Sequence, residues 1–184
     1  MSDDVYSADS IQGLHDRAGH LARRLQQIQV ATFLRRNGSF NITPVQYAVL
    51  ISARERPGLD QATLASLIAL DKSTLGAVVD KLGERGLLQR VRDAQDQRRY
   101  VIKPSPKGRN LLEAMQASVW QSERDLLSPL NEAEQKKLKQ LLSKLIDGNK
   151  EMSRAPVEDH LPVKPPAKSK RSRPLASPRP KRAA

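Results

Sequence analysis

The sequence has no cysteine among its 184 residues, and this absence excludes several kinds of site. Disulfides, thiol sensors of peroxide and zinc sites built on thiolates all need cysteine, and a chain without it fits a reducing cytosol. Histidine is almost as scarce, with three residues in all. His15 and His20 stand five positions apart on a predicted helix, where they align poorly for one metal ion, so no metal site is predicted.

Membrane and enzyme signatures are also missing. No stretch approaches the ~20 apolar residues that span a bilayer, and the opening residues MSDDVYSADS lack the basic and apolar regions of a signal peptide. A cytoplasmic protein is therefore expected. The chain has no nucleophile elbow, phosphate-binding glycine loop, metal-ligand cluster or paired carboxylates in a predicted cleft. We therefore predict no enzymatic activity and no cofactor.

The charge that is present is strongly positive. A net charge of +12 and an isoelectric point near 10.3 favour a polyanionic partner, nucleic acid first and an acidic membrane surface second. Residues 153–184 hold nine Lys/Arg and two acidic residues, a net charge of +7, together with seven of the twelve prolines. This composition predicts a disordered basic tail, which either grips DNA without sequence preference or is a solvated extension that matters little.

A long amphipathic helix is predicted from Ala8 to Arg36, with Asn37-Gly38 as a left-handed stop and residues 1–9 as a short tail. Its apolar residues follow spacings of three and four, which is typical of helices that pack against helices. They are Ile11, Leu14, Ala18, Leu21, Leu25 and Ile28. A helix of ~29 residues spans roughly 43 Å, more than a small domain needs, which favours an intersubunit role. The alternative is a helix that covers the core of its own domain.

Three shorter helices follow, each opened by a capping residue. Thr43 opens the first, which stops before Pro57, while Asp60 caps the second and Asp71 caps the third. The last two are joined by few residues and present matching apolar faces, which indicates a helix-turn-helix. The runs LLQRVRD and RRYVIKP, joined by AQDQ, then predict a β-hairpin.

Two further helices complete the pattern. Ser105 caps one that ends before Ser128, and Asn131 with Glu134 forms a capping box that opens the last. The apolar residues of this last helix are predicted to face inward, and they are Leu138, Leu141, Leu142, Leu145 and Ile146. The chain is thus predicted to be mostly α with a small β-hairpin. We predict a winged helix-turn-helix domain, flanked by dimerisation helices, at residues 10–152. Its DNA-binding core is predicted at about residues 43–108.

The helix that Asp71 caps is expected to enter the major groove of DNA. Positions off its apolar stripe are candidates for facing the groove, because hydroxyls and lysines suit base edges and phosphates and small residues permit close approach. The candidates are Lys72, Ser73, Thr74, Gly76, Ala77 and Lys81.

The hairpin supplies the wing of such a domain. Arg98 and Arg99 at its tip, with Arg90 on its first strand, suit contacts to phosphates or entry into the narrow minor groove. Asp96 precedes Arg98 by two residues, where a free carboxylate would repel phosphate. We therefore expect Asp96 to pair with an arginine at the hairpin base or to cap the turn. The alternative is a solvated charged turn.

Taken together, these motifs resemble the MarR family of bacterial winged-helix transcriptional regulators. The resemblance covers about residues 10–150. It is carried by LASLIALDKSTLGAVVDKLGERGLL, by the wing RDAQDQRRYVIKPSPKG with its Asp-x-Arg at Asp96 and Arg98, and by Ser-Pro-Lys-Gly at 105–108. Ser105 stands where threonine is more usual, and the proline-rich basic tail is not part of the common pattern. The resemblance implies a nucleoid-associated protein that binds double-stranded DNA at a pseudo-palindromic operator, with its wings in the minor grooves.

The resemblance also implies a homodimer formed by the first and last two helices. Its candidate dimerisation residues are Ile11, Leu14, Leu21, Leu138, Leu142 and Leu145. It further implies repression that a small ligand, often an aromatic acid, relieves by binding between the dimer helices and the winged helix.

Candidate ligand residues are His15, His20, Arg24, Tyr47 and Asp60. Arg24 or a protonated histidine suits a carboxylate, Tyr47 suits a ring, and Asp60 can accept a hydrogen bond, although N-capping alone explains Asp60. HDRAGHLARRLQQI and TPVQYAVL are similar, more weakly, to repressors of nicotinate and other aromatic-acid degradation, which favours 6-hydroxynicotinate. An architectural protein that coats DNA through its basic tail stays open as the alternative.

Overall fold

The computed structural model describes residues 11–93 and 96–152, and the predicted tails at 1–9 and 153–184 lie outside these ranges. The described residues form seven α-helices and one two-stranded antiparallel sheet. The elements are α1 Ile11–His15, α2 Ala18–Asn37, α3 Pro44–Glu55, α4 Gln61–Leu67, α5 Lys72–Glu84, β1 Leu88–Arg92, β2 Tyr100–Pro104, α6 Pro106–Leu127 and α7 Glu132–Gly148, with 3₁₀ turns at Gly38–Phe40 and Lys150–Met152. The predicted fold class, mostly α with a small hairpin, is confirmed.

The first helix departs from its prediction. A single helix up to Arg36 is wrong, because the chain leaves helical geometry at Arg17, whose φ of −70° and ψ of 129° are extended. The break separates α1 from α2. Leu14 and Leu21 therefore lie on different helices rather than on one continuous stripe, and both are exposed. Ile11 begins α1, and its side chain is outside the described part of the molecule.

The end of α2 differs as well. The predicted left-handed stop is wrong, because Gly38 keeps a helical φ of −59° and the left-handed residue is Asn41, with a φ of 52°. Asn37 instead joins two helices, since its Nδ2 donates to the Phe33 carbonyl oxygen at 3.0 Å and its Oδ1 accepts from Ser118 Oγ at 2.7 Å. This buried amide satisfies its own polar atoms and ties α2 to α6.

The predicted capping residues are confirmed, and they fix where the other long elements begin. The side chains of Thr43, Asp60, Asp71, Ser105 and Asn131 each accept a backbone N–H three residues later. Each cap satisfies one of the N–H groups that a helix start leaves unpaired and contributes about 1 kcal/mol.

The core of the winged helix lies between α3, α4 and α5. Val49 and Leu50 of α3, Leu64 of α4, and Leu75 and Leu82 of α5 are fully buried there. Burial of a leucine side chain stabilises a fold by roughly 1.5–3 kcal/mol, so these contacts hold the helix-turn-helix in one arrangement.

The hairpin packs against this core. Its register runs from Leu88 opposite Pro104 to Arg92 opposite Tyr100. The Ile102 N–H donates to the Leu59 carbonyl oxygen at 3.0 Å, so the loop between α3 and α4 holds the outer edge of β2. The hairpin therefore stands beside the helix-turn-helix as a wing.

The helix α6 runs along α2, where Arg36 and Asp125 meet. Arg36 Nε lies 2.6 Å and its Nη2 lies 3.1 Å from the two oxygens of Asp125. The hydrogen bonds from Arg36 and Gln121 hold the pKa of the Asp125 carboxyl well below its usual range. The contact fixes the C-terminal end of α2 to the C-terminal part of α6.

The helix α7 has no buried residue among those described. The prediction that its apolar stripe faces inward is therefore wrong for the single chain. Leu138 is partly buried, but Leu141, Leu142, Leu145 and Ile146 are exposed, because no other described element of the chain covers them.

In the described ranges, no single helix has the length and apolar content needed to cross a membrane. The bent pair formed by α4 and α5, which meet at 109°, satisfies the requirement by length and composition only.

Candidate nucleic-acid interface

The exposed side of α5 is the first part of the candidate interface. Leu75, Val79 and Leu82 bury one side of the helix in the core. The opposite and flanking positions include five of the six candidates, and Lys72, Ser73, Thr74, Ala77 and Lys81 are all exposed. These five candidates therefore lie on a surface of α5 that is open to solvent.

Asp71 organises the start of α5. Its carboxylate accepts from the Thr74 N–H at 2.8 Å, from Ser73 Oγ at 2.5 Å and from Thr74 Oγ1 at 2.6 Å. These hydrogen bonds, those from the two hydroxyls first, hold the pKa of the Asp71 carboxyl well below its usual range. Because both hydroxyls donate to Asp71, their oxygen lone pairs are left to accept other hydrogen bonds. They are therefore suited to accept from base amino groups.

Gly76 and Arg90 contact other parts of the protein. A Cβ at Gly76 would lie 3.2 Å from Gln61 Nε2, so the missing side chain lets α4 approach α5 rather than opening space for DNA. Arg90 Nη2 lies 2.8 Å from Asp80 Oδ1 and 3.3 Å from Gln61 Oε1. Arg90 therefore ties β1 to both helices of the helix-turn-helix.

The turn of the wing is built on Asp96. Its Oδ1 accepts from the Arg98 N–H at 2.9 Å, and its carbonyl oxygen accepts from the Arg99 N–H at 2.9 Å. Of the two roles expected for Asp96, the structure shows the turn cap. The carboxylate is directed at the backbone, so it does not project beside the Arg98 side chain.

The two arginines at the tip have different surroundings. Arg98 is exposed, and within the described residues its guanidinium makes no hydrogen bond or ion pair. Arg99 is turned back toward the domain, where its Nη2 lies 3.3 Å from Asp60 Oδ2. The Arg98 guanidinium is thus exposed at the tip, whereas the Arg99 guanidinium is bound by the protein itself.

The candidate ligand residues do not form one cluster within the chain. The break between α1 and α2 stacks the rings of His15 and His20, with centroids 5.2 Å apart and planes 4° apart. Tyr47 packs on Phe33 with ring centroids 5.9 Å apart. Phe33 lies 13 residues beyond His20, which is roughly 20 Å along α2.

Tyr47, Asp60 and Arg24 lie in three different environments. Burial raises the pKa of the Tyr47 hydroxyl. Burial also acts to raise the pKa of Asp60, but hydrogen bonds from Thr63 and the charge of Arg99 outweigh it and leave the pKa below its usual value. Arg24 is exposed on α2. Across the described residues, no group of three or more His, Asp or Glu is arranged to hold a metal ion.

Sequence reasoning missed a pair on the wing. Arg92 and Tyr100 are cross-strand neighbours, and the Arg92 guanidinium carbon lies 5.8 Å from the centre of the Tyr100 ring. Arg92 Nη1 also donates to the Gln97 carbonyl oxygen at 3.3 Å. Both side chains are exposed beside the tip. The alternation of the strands was the available signal, because it places both residues on one face of the hairpin.

Known proteins share this arrangement. Residues 42–100, from the end of the α2–α3 connection to the start of β2, match the model of the MarR family. A putative transcriptional regulatory protein for the hcr operon of Thauera aromatica is 32% identical over 132 residues, which cover 70% of this chain and 80% of that protein. The chain belongs to the MarR family. It is therefore a transcriptional regulator that binds DNA through a winged helix.

Two other MarR-type proteins are similar to this chain. The repressor NicR of Pseudomonas putida is 29% identical, with 73% of this chain and 85% of NicR covered. The solved structure of Bordetella bronchiseptica BpsR, described as regulated in its DNA binding by 6-hydroxynicotinic acid, is 30% identical. It covers 72% of this chain and 95% of BpsR with a TM-score of 0.68.

Proposed function

We propose that this chain acts as a homodimeric, sequence-specific repressor that a small aromatic carboxylate releases from DNA, with 6-hydroxynicotinate as the first ligand to test. The observation that carries the DNA part is the placement of Arg98. Its exposed guanidinium projects from a turn fixed by Asp96, on the same domain as the exposed side of α5. A groove-reading helix and a cationic wing together match the two grooves of one DNA site.

The dimer part rests on apolar surface that one chain leaves uncovered. Leu14, Leu21 and Ile28 on the first two helices are about half exposed, and so are Leu141 and Leu145 on α7. Large apolar side chains exposed together on one protein commonly mark an interaction surface. A second copy presents the same helical stripes, so the two copies can cover each other in the way that a twofold dimer requires.

The ligand part rests on chemistry at the start of α2 and on relatives. The stacked His15 and His20 and the exposed Arg24 offer ring and cationic contacts that suit an aromatic carboxylate. NicR is named a repressor, and 6-hydroxynicotinic acid regulates BpsR. Because these three residues lie far from Tyr47 in one chain, we propose that a complete pocket combines the start of α2 with residues of the second copy.

Site preference separates this proposal from a DNA-coating role of the basic tail. We expect a duplex selected from a random library by the full-length protein to bind at least ~10³-fold more tightly than a scrambled duplex. Deletion of residues 153–184 should preserve that ratio, because the described winged helix carries the base contacts. Affinities for both duplexes would be measured by fluorescence anisotropy at two salt concentrations. Loss of all preference on deletion, or no preference in the full-length protein, would contradict the repressor proposal.

Release by 6-hydroxynicotinate is a second expected result. Saturating ligand should lower affinity for the selected duplex by roughly 5–150-fold and should raise the melting temperature of the free protein, because it binds the folded state. Arg24→Gln should weaken both effects while leaving DNA binding without ligand unchanged. Arg23→Gln removes the neighbouring exposed cation and is the matched control. Nicotinate and benzoate would test whether the ring substituent matters. Equal loss of response in Arg24→Gln and Arg23→Gln would argue against a ligand contact by Arg24.

A further inference from the structure

Arg99 is surrounded by the protein although it sits at the tip of the wing. Its side chain is 19% exposed. Its Nη2 lies 3.3 Å from Asp60 Oδ2 and 3.3 Å from the Gly58 carbonyl oxygen, and its Nη1 lies 3.8 Å from Asp93 Oδ2. We call Arg99 and these three partners the wing clamp. The clamp joins the residue just before β2 to the residue just after β1 and to the loop before α4.

We infer that the wing clamp positions the wing for DNA, so that Arg99 acts through Arg98 and makes no DNA contact of its own. This inference rests on the proposed DNA-binding function. The Asp96 turn fixes the backbone N–H groups of both arginines, to its carboxylate for Arg98 and to its carbonyl oxygen for Arg99. With this turn fixed and Arg99 held against the domain, the neighbouring Arg98 side chain is left exposed to solvent.

Asp60 gives the clamp its connection to the helix-turn-helix. Its Oδ1 accepts from the Thr63 N–H at 2.8 Å and so fixes the start of α4. Its Oδ2 faces Arg99 at 3.3 Å. One carboxylate thus caps a helix that packs on α5 and also holds the wing. The candidate role of Asp60 in ligand binding competes with this arrangement, because Thr63 binds one of its oxygens and Arg99 the other.

The clamp controls the far end of the hairpin, while other contacts hold its base. The backbone ladder and the Ile102–Leu59 hydrogen bond remain when Arg99 is replaced. The Arg90–Asp80 pair also ties the base to α5. Removal of Arg99 is therefore expected to leave the domain folded and to let the tip move. A mobile tip must be ordered on binding, which weakens affinity.

The experiment compares the two neighbouring arginines on one duplex, the one selected from a random library by the full-length protein. Arg99→Ala and Asp60→Asn should each weaken binding about tenfold, and the double variant should lose little more, because both changes break the same pair. Asparagine keeps the N-cap of α4. Arg98→Ala is the control that removes a true contact. It should reduce the slope of log affinity against log salt by ~0.9 for each wing, while Arg99→Ala should change that slope by less than half as much.

Two further readouts separate positioning from simple loss of fold. Hydrogen exchange in peptides covering 91–104 should become faster in Arg99→Ala and Asp60→Asn, with α5 unchanged, and the melting temperature should stay within a few degrees of the original. Arg99→Lys should fall between the original and alanine. The inference would be overturned if Arg99→Ala reduced the slope of log affinity against log salt as much as Arg98→Ala does. It would also be overturned if affinity were unchanged, or if affinity fell only as far as the protein unfolds. Absence of site-selective binding by the original protein would instead refute the proposed function, and the exchange experiment would still test the clamp.

Discussion

Gly108→Ala should lower the free energy of unfolding by about 3 kcal/mol or more, or prevent folding altogether. A Cβ at this position would lie 2.1 Å from the Leu87 carbonyl oxygen and 3.1 Å from the Leu87 carbonyl carbon. Both are backbone atoms that cannot rotate away. The Leu87 carbonyl oxygen is also the acceptor of the Ser105 N–H at 3.0 Å, so moving it breaks a hydrogen bond. Chemical denaturation followed by circular dichroism would measure the loss.

Gly83→Ala is the matched control for this substitution. Gly83 is an exposed glycine inside α5, and a Cβ there would meet nothing within 4 Å. Because alanine restricts the unfolded chain and favours helix, this variant should be stabilised by up to ~1 kcal/mol. Equal destabilisation at the two positions would show that the Leu87 contact is not the reason that Gly108 is required.

The Gly108 contact explains why Ser-Pro-Lys-Gly opens α6. Ser105 Oγ donates to the Gly86 carbonyl oxygen at 2.6 Å and accepts from the Gly108 N–H at 3.0 Å. The helix start is therefore fastened to the residues between α5 and β1. The joint therefore ties the start of α6 to the connection between α5 and the wing.

The parts of the fold that the sequence predicted are those decided by neighbours along the chain. Thr43, Asp60, Asp71 and Ser105 mark helix starts because each cap needs only the N–H three residues later. The prediction of the hairpin was equally local. The spacing of apolar residues changes from helical to alternating after Gly86, and the left-handed φ of Gly86 ends α5 at that point. No contact with a distant segment enters either prediction.

The parts that failed depend on segments far apart in the sequence. Asn37-Gly38 has the composition of a helix stop, but Ser118 lies 81 positions away and draws the Asn37 side chain into the interior. The same holds at the tip of the wing. Nothing local distinguishes Arg98 from Arg99, and only the approach of Asp60 shows that Arg99 is held against the domain while Arg98 stays exposed.

Leu145→Glu should convert the proposed dimer to monomers and lower affinity for the selected duplex by on the order of 10²–10⁴. Leu145 is 58% exposed in the single chain, on a stripe shared with Leu141 and Leu142. In a dimer that covers this stripe, the substitution would bury an unpaired carboxylate at a cost of several kcal/mol. The affinity falls because two linked half-sites are read only by a dimer.

Gln140→Glu is the matched control, because it adds the same acid on the opposite, polar side of α7. It should keep the mass and affinity of the original protein. Light scattering after gel filtration would report the mass, which for a dimer is twice the 20.5 kDa of one chain. Trp120, the only tryptophan and 61% exposed on α6, adds a second readout, since a covering partner should shift its fluorescence to shorter wavelength. If Leu145→Glu kept the dimer mass, α7 would be excluded as the main interface, and the uncovered apolar surface of α1 and α2 would have to supply it.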